Sequence, residues 1–345
     1  MSYTVMSSER TRASGAEHET KALLYLMNLR SDSDEIYYFV VDFFNDLTGM
    51  DRFAEELWDV QSKGAKNNSP AQIGKELVTL FKNYLSELEF KEYILFLGGV
   101  SSTVRIDETK DIFNISNIKP NAARKIEEGL KKEAYNKTYI SNEDITNEKI
   151  DDFLQNVLFV LDNKKPSEYV KAIIKDHQRI IPEERVLDAI FNEIRNTQSE
   201  LKNTVVEGIV IQTTDEALHY SRHLTNNQIR MLTLSRIINR NPVEKNSIPI
   251  SFLPIYSLWP PEKQKEMLDE CVQIICKALF NKNAAAEYWN LFENIYTTIV
   301  QNPTYSVQQV FGALDVNIRN ASPDFDVISL KYFIAQVKDG IQNDN

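Results

Sequence analysis

One short segment, Leu57–Lys63, constrains the fold of this chain more than any other. Its sequence, LWDVQSK, is typical of a β-strand, and strand alternation places Asp59, Gln61 and Lys63 together on one face. An acid, an amide and an ammonium group are costly to bury in a sheet unless they bind something. The segment therefore predicts either a ligand site on a sheet or a solvent-facing edge strand.

The segments around this strand predict an α/β unit. In chain order, the pattern predicts an amphipathic helix, a hydrophobic strand, a turn leading to a short strand, the strand described above, a second helix and a last hydrophobic strand. These predicted segments are residues 15–30, 35–44, 45–49, 57–63, 71–88 and 92–100. We expect a mixed sheet flanked by helices that ends near residue 115.

The pattern changes beyond residue 115. Most of residues 116–345 have helical periodicity, including residues 147–158, and short strand-like pieces occur at 205–212 and 248–253. A chain of 345 residues is long enough for two domains. We therefore predict an α/β domain over residues 1–115 and a mainly α-helical domain over residues 116–345.

Composition limits the classes of function. The formal net charge is −11, so a nucleic-acid site must be locally basic or completed by a partner. Only two cysteines occur, and no apolar stretch approaches the roughly 20 residues that a membrane span needs. The N-terminal segment is polar and has no apolar signal-peptide core. These features predict a cytoplasmic protein without a membrane partner, and the lack of a Walker motif predicts that the chain does not hydrolyse ATP.

Acidic residues near the end of the preceding hydrophobic strand indicate a metal site. Asp42 and Asp46 lie at the end of this strand, beside a strand that ends in Gln61-x-Lys63. Carboxylate oxygens suit Mg²⁺ or Mn²⁺, and an amide oxygen can also bind a hard cation. The sequence therefore predicts a divalent-metal site where these segments meet.

Each candidate also has a structural alternative. Asp46 lies in the sequence NDLTG, which favours a turn, and Gln61 and Lys63 could face solvent on an edge strand. Asp59 could cap its strand or pair with Lys63. Asp42 could form a structural salt bridge, which we favour over a metal role.

Two segments, VVDFFNDLTG and LWDVQSKG, resemble the PD-(D/E)xK nuclease superfamily. The resemblance is closer to the subgroup in which glutamine replaces the acid of the (D/E)xK motif. That subgroup supplies the nuclease domain of bacterial anti-phage effectors, including nucleotide-activated CBASS endonucleases, the Lamassu effector subunit and nucleases that pair with HerA-type ATPases. The resemblance covers about the first 100 of the 345 residues.

The resemblance implies a restriction-endonuclease-like fold and Mg²⁺- or Mn²⁺-dependent cleavage of double-stranded DNA. Asp46 would be a metal ligand, Gln61 a second ligand through its side-chain oxygen, and Lys63 would orient the attacking water or stabilise charge on phosphorus. Many members also use an acid on the first helix. Glu19 lies within the apolar arc of that helix and Glu17 lies toward its edge, so we favour Glu19 as the third ligand.

The resemblance also implies partners. An anti-phage effector needs a restraint or a sensor, so we expect residues 116–345 to dock onto a partner ATPase, either SMC-like or HerA-like, or onto other copies of the chain. Two departures from the parent motif leave an alternative open. Gln61 removes one negative charge from the metal site, and Asn45 rather than proline precedes Asp46. The alternative is a catalytically inactive nuclease fold that serves as a DNA-binding or scaffold subunit of a defence complex.

Overall fold

A computed structural model of the protein describes residues 2–6, 13–174, 177–180, 182–244 and 247–342. These residues form a mixed sheet flanked by helices, a two-stranded ribbon and a helical part. The strands are β1 Tyr3–Thr4, β2 Tyr38–Val41, β3 Leu47–Met50, β4 Leu57–Lys63, β5 Glu92–Leu97, β6 Ile112–Phe113, β7 Val157–Leu161, β8 Val210–Ile211 and β9 His223–Thr225. The α-helices are α1 Ala13–Asn28, α2 Pro70–Glu76, α3 Val78–Tyr84, α4 Pro120–Tyr135, α5 Asn147–Gln155, α6 Pro166–Ile173, α7 Glu184–Leu201, α8 Asn226–Ile237, α9 Leu253–Tyr256, α10 Pro261–Phe280, α11 Ala285–Gln301, α12 Val307–Ala313, α13 Val316–Ala321 and α14 Val327–Gln342. Short 3₁₀ helices cover Ile115–Asn117, Asn142–Asp144, Gln178–Ile180, Thr214–Tyr220, Ile250–Phe252 and Lys282–Ala284.

The main sheet has the strand order β6-β7-β5-β4-β3-β2-β9. Strands β4, β5 and β7 are parallel, whereas β3, β2 and β9 continue the sheet on one side as an antiparallel set and β6 closes the other side. Strand β4 is interior: Val60 lies opposite Leu47 of β3, and Gln61 lies opposite Leu95 of β5. The edge-strand alternative for Gln61 and Lys63 is therefore wrong.

Helix α1 packs closely on the sheet at Gly49. A Cβ atom at that position would lie 3.1 Å from a side-chain carbon of Ile36 and 3.2 Å from one of Leu26. The absence of a side chain on β3 thus lets α1 approach the same strands that carry the candidate residues. The predicted helix over residues 15–30 is confirmed with slightly earlier bounds.

The second predicted helix, over residues 71–88, is two helices. Ser69 caps α2 by accepting a hydrogen bond from the backbone N–H of Gln72, and Pro70 occupies the first turn, where its missing N–H costs nothing. The chain turns at Leu77 and continues as α3. Both helices contribute side chains at the end of β4: Glu76 of α2 lies near Lys63, and Thr79 of α3 donates a hydrogen bond to Gln61.

Helix α2 crosses α4 at two glycines. A Cβ atom on Gly74 would lie 2.0 Å from the carbonyl oxygen of Ile126, and one on Gly129 would lie 2.5 Å from that of Ala71. Backbone therefore touches backbone, and no side chain fits at either position.

The sheet extends past residue 115, where the sequence pattern placed the end of the α/β part. The apolar run 157–161 forms β7, whereas its first two residues were predicted to end a helix. A short apolar run has no periodicity that separates strand from helix. The strand-like piece at 248–253 is also different: it is a 3₁₀ turn followed by α9, in a stretch with two prolines, which cannot donate ladder hydrogen bonds.

The chain divides into two compact units whose bounds differ from the predicted division at residue 115. One comprises Met1–Tyr169 and Phe191–Asn226 and contains the sheet, and the other comprises Val170–Ile190 and Asn227–Asn345 and is helical. The helical unit has its own core, in which Trp289, Phe292 and Phe333 are fully buried. Among the described helices, none is long and apolar enough to cross a bilayer.

Candidate active site

Asp46 is bound to the end of strand β4. The backbone pairing of β3 with β4 ends at Leu47 and Val60. Beyond this pair, the Asp46 side chain accepts a hydrogen bond from the backbone of β4. Its Oδ2 accepts the backbone N–H of Ser62 at 2.9 Å and the side-chain Nε2 of Gln61 at 2.9 Å. The carboxylate therefore reaches across to the strand that carries Gln61 and Lys63, which a simple turn aspartate would not do.

Gln61 is held between Asp46 and helix α3. Its Nε2 points to Asp46, and its Oε1 accepts the hydroxyl of Thr79 at 2.7 Å. A threonine hydroxyl can donate or accept, so a half-turn of the amide would keep the Thr79 hydrogen bond and turn Oε1 toward Asp46. Gln61 can thus serve as an oxygen ligand only after this half-turn.

Lys63 ends β4 in the same cleft. Its Nζ lies 3.4 Å from Oε2 of Glu76, the last residue of α2, and both side chains are largely buried. Glu76 was not predicted from the sequence. Its contact with Lys63 joins α2 to β4, so no local pattern of the sequence indicates it.

Of the two acids considered on α1, Glu19 lies near Asp46. Glu19 is buried, and its Oε2 lies 2.6 Å from Nζ of Lys202. Glu17 is about half exposed and lies 3.5 Å from Lys21 on the same helix. Lys202, 183 positions from Glu19 in the chain, is a second residue that the sequence did not reveal.

The electrostatics of Asp46 reflect this neighbourhood. Removal from water and the negative charge of Glu19 raise the pKa of Asp46 to about 7, against the lowering effects of Lys63, the Ser62 N–H and Lys202. A divalent cation would stabilise the ionised form of Asp46 beside Glu19, and carboxylate oxygens are ligands that such a cation prefers. Within the described residues, no group of three or more His, Cys, Asp or Glu side chains is placed to hold a metal. The fit therefore depends on Asp46, Glu19 and the amide of Gln61.

The site opens into a cleft of about 200 Å³. Its charged lining contains four lysines and four acids: Lys63, Lys75, Lys82, Lys137, Asp42, Asp46, Glu76 and Glu133. The cleft is thus balanced in charge although the whole chain carries −11. A bound divalent cation would make it positive, as a phosphodiester requires.

Asp42 and Asp59 have structural partners. Asp42 Oδ2 lies 3.0 Å from Nη2 of Arg222, in agreement with the salt-bridge alternative. Asp59 is fully buried, its Oδ2 accepts Nδ2 of Asn83 at 2.6 Å, and Asn83 in turn accepts the hydroxyl of Tyr3 at 2.9 Å. Asp59 does not line the cleft. Its network instead anchors α3 beneath β4.

Burial of Asp59 predicts a pH-dependent stability. Removal from water raises the pKa of Asp59 to about 7, above the value of about 3.9 for an unfolded aspartate. Between these values the folded state binds more protons than the unfolded state, so this residue's contribution to stability falls as pH rises. Relative to the wild type, Asp59→Asn should therefore gain stability between pH 4 and pH 8, by at most about 4 kcal/mol, as measured by urea unfolding in EDTA.

Asp107 supplies the control for this experiment. It is a surface residue whose pKa is lowered by hydrogen bonds from the hydroxyl and backbone N–H of Thr109. Asp107→Asn should give no gain toward high pH. A constant difference between Asp59→Asn and wild type across this range would contradict the buried-carboxylate explanation.

Comparison with known proteins identifies no relative: no family model, curated protein or solved structure matches the chain.

Proposed function

We propose that the chain is a metal-dependent endonuclease with Asp46, Gln61 and Lys63 at its active site. One observation supports this proposal most: Asp46 Oδ2 lies 2.9 Å from Gln61 Nε2 at the end of an interior strand that also delivers Lys63 to the same cleft. The sequence motif thus corresponds to one place in the structure.

The residues fit hydrolysis of a phosphodiester. Asp46, Glu19 and the amide oxygen of Gln61 would hold Mg²⁺ or Mn²⁺, which supplies an activated water and neutralises developing charge. Lys63 would donate a hydrogen bond to a phosphate oxygen and so stabilise the charge that grows in the transition state. Glu76 keeps the Lys63 ammonium in place before substrate arrives.

The order of elements supports a restriction-endonuclease-like fold as part of this proposal. Helix α1, strands β2, β3 and β4, helices α2 and α3, and strand β5 follow the order expected from the PD-(D/E)xK resemblance. The double-stranded DNA substrate, the anti-phage role and docking of the helical unit onto an ATPase or a second copy rest on that resemblance.

A non-catalytic scaffold is the second candidate. Gln61 donates to Asp46 rather than offering its oxygen, and only two carboxylates, those of Asp46 and Glu19, belong to the proposed donor set. This arrangement favours a nuclease fold that binds DNA without cleaving it.

Plasmid cleavage separates the two candidates. Supercoiled plasmid and a structured RNA would be incubated with the full chain, with and without the products of neighbouring genes, in Mg²⁺ or Mn²⁺. Lys63→Met should slow DNA cleavage on the order of a hundredfold, because one charged donor to the phosphate is lost. The control is Lys66→Met, three residues away on the exposed loop, which should cleave as the wild type does.

The outcomes are distinct. Cleavage that survives Lys63→Met would remove the site assignment. Binding of DNA without cleavage under every condition would favour the scaffold, and cleavage of RNA alone would change the substrate class.

A further inference from the structure

The ion pair between Lys202 and Glu19 lies at the proposed metal site. Lys202 follows the last residue of α7, and its Nζ is 2.6 Å from Oε2 of Glu19. Both side chains are about nine-tenths buried. An ammonium group this far from water needs a fixed anionic partner, and Glu19 is that partner.

The charge of Lys202 also acts on Asp46. Its field favours the ionised form of the Asp46 carboxylate, whereas the field of Glu19 opposes that form. Lys202 therefore lies where it is attracted by both carboxylates that would hold the divalent cation. A positive charge stabilises the ionised carboxylates of Asp46 and Glu19, and the Lys202 ammonium supplies this charge.

We propose that Lys202 is an intramolecular counter-cation that competes with the divalent metal for Glu19. This inference rests on the proposed metal site. A divalent cation held by Asp46 and Glu19 would take Glu19 from the Lys202 ammonium and would repel that ammonium. Lys202 would then be released from its ion pair with Glu19.

Lys21 provides a matched comparison on the same helix as Glu19. Its side chain is as buried as that of Lys202, but its Nζ bonds to Asp162 at 2.9 Å and to the carbonyl oxygen of Lys164 at 3.2 Å. Asp162 does not belong to the proposed donor set. Lys21 therefore has the burial and charge of Lys202 without its place at the metal site.

Calorimetric titration of the full chain with Mn²⁺ tests the competition. We expect Lys202→Gln to bind Mn²⁺ about tenfold more tightly than wild type, a change of about 1.4 kcal/mol, because the competing charge is gone. Lys202→Arg, which retains the charge, and Lys21→Gln should each stay within about twofold of wild type. Unchanged or weaker Mn²⁺ binding by Lys202→Gln would overturn the proposal, as would Mn²⁺ binding by none of the proteins.

The release of Lys202 can also be measured on the wild-type protein, so that the result does not depend on whether a variant folds. Amine acetylation followed by mass spectrometry reports how accessible each lysine is. Saturating Mn²⁺ should increase acetylation of Lys202 severalfold and leave that of Lys21 unchanged. Equal or lower acetylation of Lys202 with Mn²⁺ would contradict its release from Glu19.

These results are independent of cleavage. Tighter Mn²⁺ binding by Lys202→Gln without any nuclease activity would support the competition between Lys202 and the metal and would contradict the proposed endonuclease function. Nuclease activity that depends on Lys63, together with unaltered Mn²⁺ binding by Lys202→Gln, would reject the competition alone.

Discussion

Replacing Asp46 with asparagine should reduce plasmid cleavage on the order of a thousandfold without destabilising the protein. The loss is expected because asparagine carries no charge for a divalent cation. The fold should persist because an amide oxygen can still accept the Ser62 N–H that Asp46 accepts at 2.9 Å. Initial rates of plasmid nicking and urea unfolding curves measure the two effects separately.

Above neutral pH, the Asp46→Asn variant should be more stable than the wild type. The pKa of Asp46 in the folded protein is raised to about 7, so between pH 4 and pH 7 the unfolded chain loses this proton while the folded protein keeps it. This difference lowers the stability of the wild type as pH rises, and asparagine does not have it. In EDTA, Asp46→Asn should exceed wild type at pH 8 and match it near pH 4. A variant that lost both activity and stability at pH 8 would show that Asp46 holds β3 to β4 rather than serving catalysis.

Replacing Gly74 with alanine should destabilise the sheet unit by about 3 kcal/mol. The added Cβ would lie 2.0 Å from the Ile126 carbonyl oxygen and 2.8 Å from the Leu130 backbone nitrogen, so α2 must move away from α4. Because α2 carries Lys75 and Glu76 into the cleft, cleavage should weaken as well. Hydrogen exchange of peptides from α2 and β4, followed in increasing urea, measures the stability of this unit.

Gly312 is the matched control. It also lies in a helix, α12, but a Cβ atom there would meet nothing within 4 Å. Gly312→Ala should stabilise its helix by about 0.5–1 kcal/mol, because alanine loses less conformational freedom on folding. A similar small gain at Gly74 would mean that α2 and α4 do not cross in backbone contact.

The parts of the site predictable from sequence are those with a local signal. Strand β4 has the bounds that its sequence predicts, because LWDVQSK has the composition and length typical of a strand. Glu19 was separated from Glu17 by its place on the apolar arc of α1, and the structure buries it. Each inference used neighbours within a few positions along the chain.

The remaining parts depend on contacts that no local pattern encodes. Glu76, the last residue of α2, lies near Lys63 of β4, and the local pattern of neither element indicates this contact. Lys202 meets Glu19 across 183 positions of sequence. Strand β7 is a short apolar run whose partner strand determines its conformation. Only a three-dimensional structure relates such residues.

The amide of Gln61 has a consequence for how the proposed enzyme would respond to its cofactor. An acid at this position would repel Asp46 in the absence of metal, whereas Gln61 donates to Asp46 and leaves the empty arrangement satisfied. A metal ion must therefore displace the hydrogen bond between Gln61 and Asp46. It also binds to a site with one negative charge fewer than a site with an acid at position 61 would have. We expect graded occupancy, in which the fraction of active molecules follows the free Mg²⁺ or Mn²⁺ concentration instead of being saturated at all times.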